Sequence, residues 1–173
     1  AATAASAACA PLPAPSGTIV NVATVAQLQN AVAALTSNTT ILIADGIYDL
    51  TNTLNIRGVN NVVLRSASGN REAVVLRGRG MSNASYGNVP HVIAIYDASD
   101  VTVADLTLRD AYFHLVQVHG EDGPQRPRFR NLHLIDAGEQ FIKGSTGGAS
   151  GPYSDGGIVE CSSFEYSDRA RSD

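Results

Sequence analysis

An internal repeat restricts the fold of this chain more than any other feature. Residues 101–117 (VTVADLTLRDAYFHLVQ) lie without a gap over residues 127–143 (PRFRNLHLIDAGEQFIK), 26 positions further on. Leu106 falls on Leu132, Leu108 on Leu134, Asp110 on Asp136, Ala111 on Ala137, Leu115 on Phe141 and Val116 on Ile142. A third copy follows when the glycine-rich stretch 144–157 is treated as an insertion. It sets Phe164-Glu165-Tyr166-Ser167-Asp168 under Leu132-His133-Leu134-Ile135-Asp136. Self-similarity at a fixed period of about 20–50 residues is the signature of stacked repeat architectures.

The repeat unit is built of strands. Short apolar runs recur at Ile41-Leu42-Ile43, Leu54-Asn55-Ile56, Val62-Val63-Leu64, Val74-Val75-Leu76 and Ile93-Ala94-Ile95. Between them stand Asp45-Gly46, Gly58-Val59-Asn60-Asn61 and Ser68-Gly69-Asn70, residue types that tolerate turn geometry. A unit of this length with short strands and no helix excludes helical solenoids, and the leucine-rich consensus is absent. The expected fold is all-β: a β-solenoid with coils over about residues 40–168, each strand pairing in parallel with its counterpart one coil away. Alternation then points Leu106/Leu132/Phe164 and Leu108/Leu134/Tyr166 inward and Thr107/His133/Glu165 outward, with Asp110/Asp136/Asp168 at the following turn. A β-sandwich is the competing all-β reading, but it does not require a register-true repeat.

The segments before the repeats read differently. Residues 1–17, rich in Ala, Pro and Ser, offer no periodic apolar face and read as a flexible leader ahead of one domain over 18–173. Ile19 to Ala23 reads as a short strand. Thr24-Val25-Ala26-Gln27 is a capping box opening a helix over about 24–36, with Val25, Leu28, Ala31, Val32 and Leu35 on one stripe and Ser37-Asn38 stopping it. Only 16% of the 173 residues are charged, because each coil commits its positions to an apolar bore and to Asn, Gly and Ser turns. A net charge of −4 and a pI near 5.5 lack the basic footprint of a nucleic-acid binder. No stretch approaches the ~18 apolar residues of a membrane span, so no transmembrane segment is expected.

Two cysteines, Cys9 and Cys161, are too few for a disulfide framework and fit no zinc spacing. Ser6-Ala7-Ala8-Cys9 resembles the processing site of a bacterial lipoprotein, which would make Cys9 a lipid anchor; pairing with Cys161 is the alternative.

Val22-Ala23-Thr24-Val25-Ala26-Gln27-Leu28-Gln29-Asn30-Ala31-Val32, followed by Thr40-Ile41-Leu42-Ile43-Ala44-Asp45-Gly46-Ile47-Tyr48, resembles the opening segment of right-handed parallel β-helix proteins. The closest resemblance is to the pectate-lyase-like superfamily, notably alginate and chondroitin lyases of the chondroitinase-B type. It implies a right-handed parallel β-helix with an N-terminal capping helix, secreted, periplasmic or at the cell surface of a bacterium. It also implies β-elimination on an acidic, uronate-containing polysaccharide. The chain stops soon after a strand with no amphipathic segment to close the last coil. It therefore reads as the N-terminal portion of a longer β-helix, truncated at its C-terminus and open there to self-association. A second reading, from another functional class, is a non-catalytic carbohydrate-binding or cell-surface β-helix protein, such as a lipoprotein.

Lyases of this type use Lys or Arg as base and a Ca²⁺ ion or cation cluster to neutralise the uronate carboxylate. Lys143, the one lysine, stands outward by the repeat, stacked on Gln117 with His119 two residues beyond; Lys143 and His119 are the candidate catalytic pair. Arg126, Arg128, Arg130, His133 and Gln117 are candidates for binding sugar, since Arg makes a two-pronged fork to carboxylates. Asp110, Asp136 and Asp168, with Glu139, form a candidate Ca²⁺ ladder, because stacked carboxylates repel until a hard cation relieves them. His114, His119, Glu121 and Asp122 match no zinc motif and read as a polar loop. The insertions 78–90 and 144–157 are long enough to wall a binding face.

Overall fold

A computed structural model describes residues 9–167. In chain order the elements are β1 (Thr18–Val22), α1 (Val25–Ala33), β2 (Thr39–Ile43), β3 (Gly46–Asp49), β4 (Asn52–Ile56), β5 (Asn60–Ser66), β6 (Val74–Arg77), β7 (Asn88–Ile95), β8 (Ser99–Ala104), β9 (Thr107–Ala111), β10 (Val116–Val118), β11 (Arg128–Arg130), β12 (His133–Ala137), β13 (Ile142–Gly144), β14 (Ile158–Glu160) and β15 (Ser163–Glu165). The strands form three sheets, ordered β1-β2-β5-β8-β11-β14, β3-β6-β9-β12-β15 and β4-β7-β10-β13. From β2 onward the chain visits the three sheets in the same rotation, and every pairing is parallel to a strand one circuit away.

The 26-residue offset holds in all three sheets: Thr102 pairs with Arg128, Leu108 with Leu134 and Gln117 with Lys143. The third copy is corrected. His133 pairs with Ser163 and Leu134 with Phe164, two residues out of the expected register. The outward column is therefore Thr107/His133/Ser163, and continuing this register brings Tyr166, not Asp168, to Asp136. Asp168 itself lies outside the described residues. The corner before the strand sets this register. Asp105, Asn131 and Cys161 occupy it in successive circuits, all left-handed with φ of 56°, 49° and 53°. An apolar alignment is blind to a corner.

Those corners explain the abundance of Asn and Asp, which enter the left-handed region more readily than other side-chain-bearing residues. Asn38, Asn61, Asp100 and Arg126 form a second such ladder at φ between 54° and 60°. Its members bond to each other along the stack. Asn61 Nδ2 donates to Asn38 Oδ1 at 2.8 Å, and Arg126 forks Asp100 with two bonds of 2.7 Å. In the first ladder Asn131 Nδ2 donates to Asp105 Oδ1 at 2.8 Å.

Inward residues stack into apolar columns such as Leu76/Leu108/Leu134 and Leu54/Ile93/Val116, each fully or almost fully buried. Helix α1 closes one end of this core with buried Leu28 and Val32. Thr24 caps it as expected, accepting from the Gln27 N–H, but Gln27 reaches back to the Ala23 N–H rather than to that of Thr24. The helix also ends at Ala33, three residues short of the expected boundary. At the other end Phe141, Phe164 and Tyr166 cluster, with Phe164 still 49% exposed. No helix among the described residues is long and apolar enough to cross a membrane.

The leader departs from expectation. Residues 9–17 lie across the outer face of the six-stranded sheet rather than free of it. Thr40 Oγ1 donates to the Ser16 carbonyl at 2.9 Å, Arg65 Nη1 to the Pro13 carbonyl at 2.9 Å and Arg130 Nη2 to the Ala10 carbonyl. Cys9 ends the strap in a disulfide to Cys161, with Cα atoms 5.7 Å apart. The expected lipid anchor is corrected with it, because the Cys9 sulfur is held by Cys161 and is not a free thiol for a lipid thioether.

Candidate functional site

The four-stranded sheet carries the chemically richest outer face. Its outward column reads Asn55, Ala94, Gln117 and Lys143, one residue from each of β4, β7, β10 and β13. Gln117 is buried and its Nε2 donates to Ser145 Oγ at 3.1 Å. Lys143 is half-buried and has no ion-pair partner among the described residues. Two residues along the strands, about 7 Å away by strand rise, a second column is formed by Arg57, Tyr96 and His119. The Arg57 guanidinium carbon sits 3.1 Å from the Tyr96 ring centre, and Tyr96 stacks on His119 at 4.2 Å and 9°. His119 Nδ1 meets Glu121 at 2.8 Å, and Glu121 accepts from Ser145 Oγ.

A third ladder stands at the corner leading into these strands. His91 and His114 stack at 4.9 Å and 10°. The His114 N–H donates to His91 Nδ1 at 3.3 Å, and the Gln140 N–H donates to His114 Nδ1 at 3.4 Å. Both rings thus accept at Nδ1 and carry their hydrogen on Nε2 when neutral. Beyond them Tyr86 from the 78–90 insertion packs on Tyr112 at 4.8 Å and on Phe113 at 5.4 Å. Burial, reinforced by the charges of His114 and His119, pushes the His91 imidazole down to about 4. Burial also lowers His114, with Lys143 adding to the effect and Glu139 opposing it.

The sequence-predicted residues divide by sheet. Lys143, Gln117 and His119 come together on this face. Arg128 and Arg130 lie on the six-stranded sheet, 3.8 and 3.2 Å from Glu160, and Arg126 is forked to Asp100 at its corner. His133 sits on the five-stranded sheet between Glu72 at 3.0 Å and Glu165 at 3.4 Å. Asp110 and Asp136 share Arg109, at 2.8 and 3.5 Å, so a guanidinium already relieves the repulsion a cation was expected to relieve. Glu139 stands apart from them, 3.6 Å from His114.

Among the described residues, the group with metal-ligand spacing is His119, Glu121 and Asp122, whose ligand atoms lie within 4.8 Å of one another. Ca²⁺ takes about six to eight oxygen ligands. Two carboxylates and an imidazole, one carboxylate already engaged by Ser145, do not supply that set. The Ca²⁺ that the lyase resemblance implies therefore has no fitting cage in either group.

No family model, curated protein or solved structure matches this chain. Tyr96, Arg57 and His91 were missed at the sequence level. Tyr96 follows Ile95 and is outward by alternation, but it stacks on His119 only 23 positions later, so an alignment fixed at 26 passes it by.

The low-titrating histidines make a pH prediction. In the unfolded chain His91 titrates near 6.5 and in the folded protein near 4, so between these values the unfolded state binds more protons. Stability should therefore fall as pH drops from about 6.5 to 4 and change little from this source above or below. Melting temperatures across that window should show the slope, and H91Q should flatten it. An unchanged slope in H91Q would remove His91 as its cause.

Proposed function

We propose that the protein is a secreted right-handed parallel β-helix of polysaccharide-lyase type. On this reading it takes an acidic, uronate-containing polysaccharide on the outer face of its four-stranded sheet and cleaves it by β-elimination. The observation that carries the reading is the juxtaposition on one face of Lys143, which has no ion-pair partner among the described residues, the buried Gln117 and the flat Arg57–Tyr96–His119 stack. A planar stack ending in a cation suits a sugar ring bearing a carboxylate. The constant rotation of the chain through three parallel sheets supports the β-helix, and the Cys9–Cys161 disulfide supports an oxidising, extracytoplasmic location.

In this mechanism Arg57 balances the uronate carboxylate, which lowers the cost of negative charge developing beside it. Lys143 acts as the base and takes the proton alpha to that carboxylate on its side-chain nitrogen. The freed electron pair forms the ring double bond and expels the glycosidic oxygen, which takes a proton from His119, held by its contact with Glu121.

The test is absorbance of unsaturated uronate product from alginate, pectate and chondroitin sulfate, with and without Ca²⁺, alongside calorimetric binding to the same polymers. Product from one of them supports the lyase. Binding without product selects the second reading, a carbohydrate-binding β-helix, which the aromatic set Tyr86, Tyr96, Tyr112 and Phe113 favours. Neither product nor binding overturns both.

A further inference from the structure

The leader covers a trough that it fills poorly. Between residues 12–16 and the six-stranded sheet lies a pocket of about 220 Å³, lined on the sheet side by Thr40, Val63, Arg65, Thr102 and Arg128. Arg130 stands at the far end of the strap. Every polar contact named between strap and sheet has one sense: a sheet side chain donates and a leader carbonyl accepts. Pro11, Pro13 and Pro15 lack N–H groups and hold an extended backbone, so the segment behaves as a chain of acceptors.

Its spacing fits the sheet. Three residues of extended proline-rich chain advance about 9 Å at ~3.1 Å each. Arg65 on β5 and Arg130 on β11, two strand spacings apart, stand about 10 Å apart at ~4.8 Å per strand. They receive the carbonyls of Pro13 and Ala10, three residues apart.

Arg65 is incompletely satisfied. Among the described residues, only its Nη1 is bonded to the leader; its buried Nε has no hydrogen-bond partner, and its Nη2 has Asp105 at 3.7 Å. A single amide carbonyl cannot serve the Nε–Nη2 edge of a guanidinium, whereas two carboxylate oxygens can. The acids beside the trough, Asp105 and Glu160, leave the Arg65, Arg128 and Arg130 set with an excess of one positive charge.

We propose that the leader is a releasable strap and that the arginine-threonine trough beneath it is a second, masked binding site for an extended carboxylate-bearing polysaccharide. The ligand class is taken from the function proposed above, but the site is on a different sheet. Release is by thiol–disulfide exchange. A thiolate attacks one sulfur of the Cys9–Cys161 bond and forms a mixed disulfide, and a second thiol completes it; two external thiols become one disulfide and both cysteines become thiols. Cys161 is exposed, so an attacking thiol can reach it.

Calorimetric titration of oligogalacturonate into the oxidised full chain, the phosphine-reduced chain and C9S tests this. The opened forms should bind at least tenfold more tightly than the oxidised form. R65Q should abolish that gain while leaving the affinity of the oxidised form unchanged. The double variant P13G/P15G keeps the disulfide but loosens the strap, and should gain affinity without any reductant, so the test does not depend on the reduced chain staying folded. Equal affinity in all forms, or a gain that survives R65Q, overturns the proposal even if the oxidised protein binds and cleaves. A gain that R65Q removes, in a protein whose oxidised form neither binds nor cleaves, sustains the trough and sinks only the four-stranded face.

Discussion

Reducing the Cys9–Cys161 bond, or replacing Cys9 with Ser, is expected to lower the unfolding free energy by about 2–5 kcal/mol, the range for loss of a native disulfide in a small domain. The bond joins residues 152 positions apart, and in the chain-entropy account a closed loop of that length removes much of the freedom of the unfolded chain. It also tethers the end of the stack with least support. Among the described residues, strands β14 and β15 have a partner on one side only, and Ile158, Val159 and Phe164 stay 42–49% exposed. Chemical denaturation of oxidised and reduced protein measures the effect. For a domain of this size each kcal/mol corresponds to about 2–4 °C in Tm. C9S, C161S and the double variant should be equally destabilised, because each removes the same bond. A reduced protein that melts with the oxidised one would show that the strap holds nothing together.

K143A is expected to lower kcat/KM for β-elimination by about 10²–10⁴-fold, the usual contribution of a positioned base. Folding should be almost unaffected, because the side chain is half-exposed with no ion pair among the described residues, and such substitutions stay within about ±0.5 kcal/mol. Y96A makes the contrast. It removes the platform between Arg57 and His119, so it should raise KM with a smaller loss in kcat. Turnover that survives K143A at the wild-type rate would move the base elsewhere on the face. Equal kcat losses in both variants would mean that the face had been disturbed as a unit.

The parts of this protein that could be read in advance share one property: their partners sit at a constant offset. Leu108 and Leu134, and Gln117 and Lys143, were matched from the 26-residue repeat and are paired in the sheets, and Leu106 and Leu132, matched the same way, are both buried just ahead of those strands. The Thr24 cap and the Leu28/Val32 face of α1 are local, within one or two helical turns, and were equally legible. Beyond that window the offset varies. Thr40 pairs with Val63 23 positions on, Val62 with Val101 39 positions on, and Arg128 with Ile158 30 positions on. The His91/His114 stack and the Tyr96/His119 stack lie across such changes, which hid the aromatic half of the face while its Lys143/Gln117 half was visible.

The Asp ladder shows a different limit. Asp110 and Asp136 were correctly placed one above the other, yet their charge is answered by Arg109, which lies next to Asp110 in the chain. Which cation reaches a carboxylate depends on side-chain direction, and the spacing of carboxylates does not carry it.

Period and alternation were enough to establish parallel strands stacked circuit on circuit around an apolar interior, because a residue repeated at constant spacing on a period-two strand has one face and one neighbour. The register of the final circuit, the laying of the proline-rich leader over Arg65 and Arg130, and the closure of Cys9 on Cys161 came only with the three-dimensional packing. Each joins groups of unequal or very large separation, from 30 to 152 residues, and such contacts are set by where insertions place the chain in space.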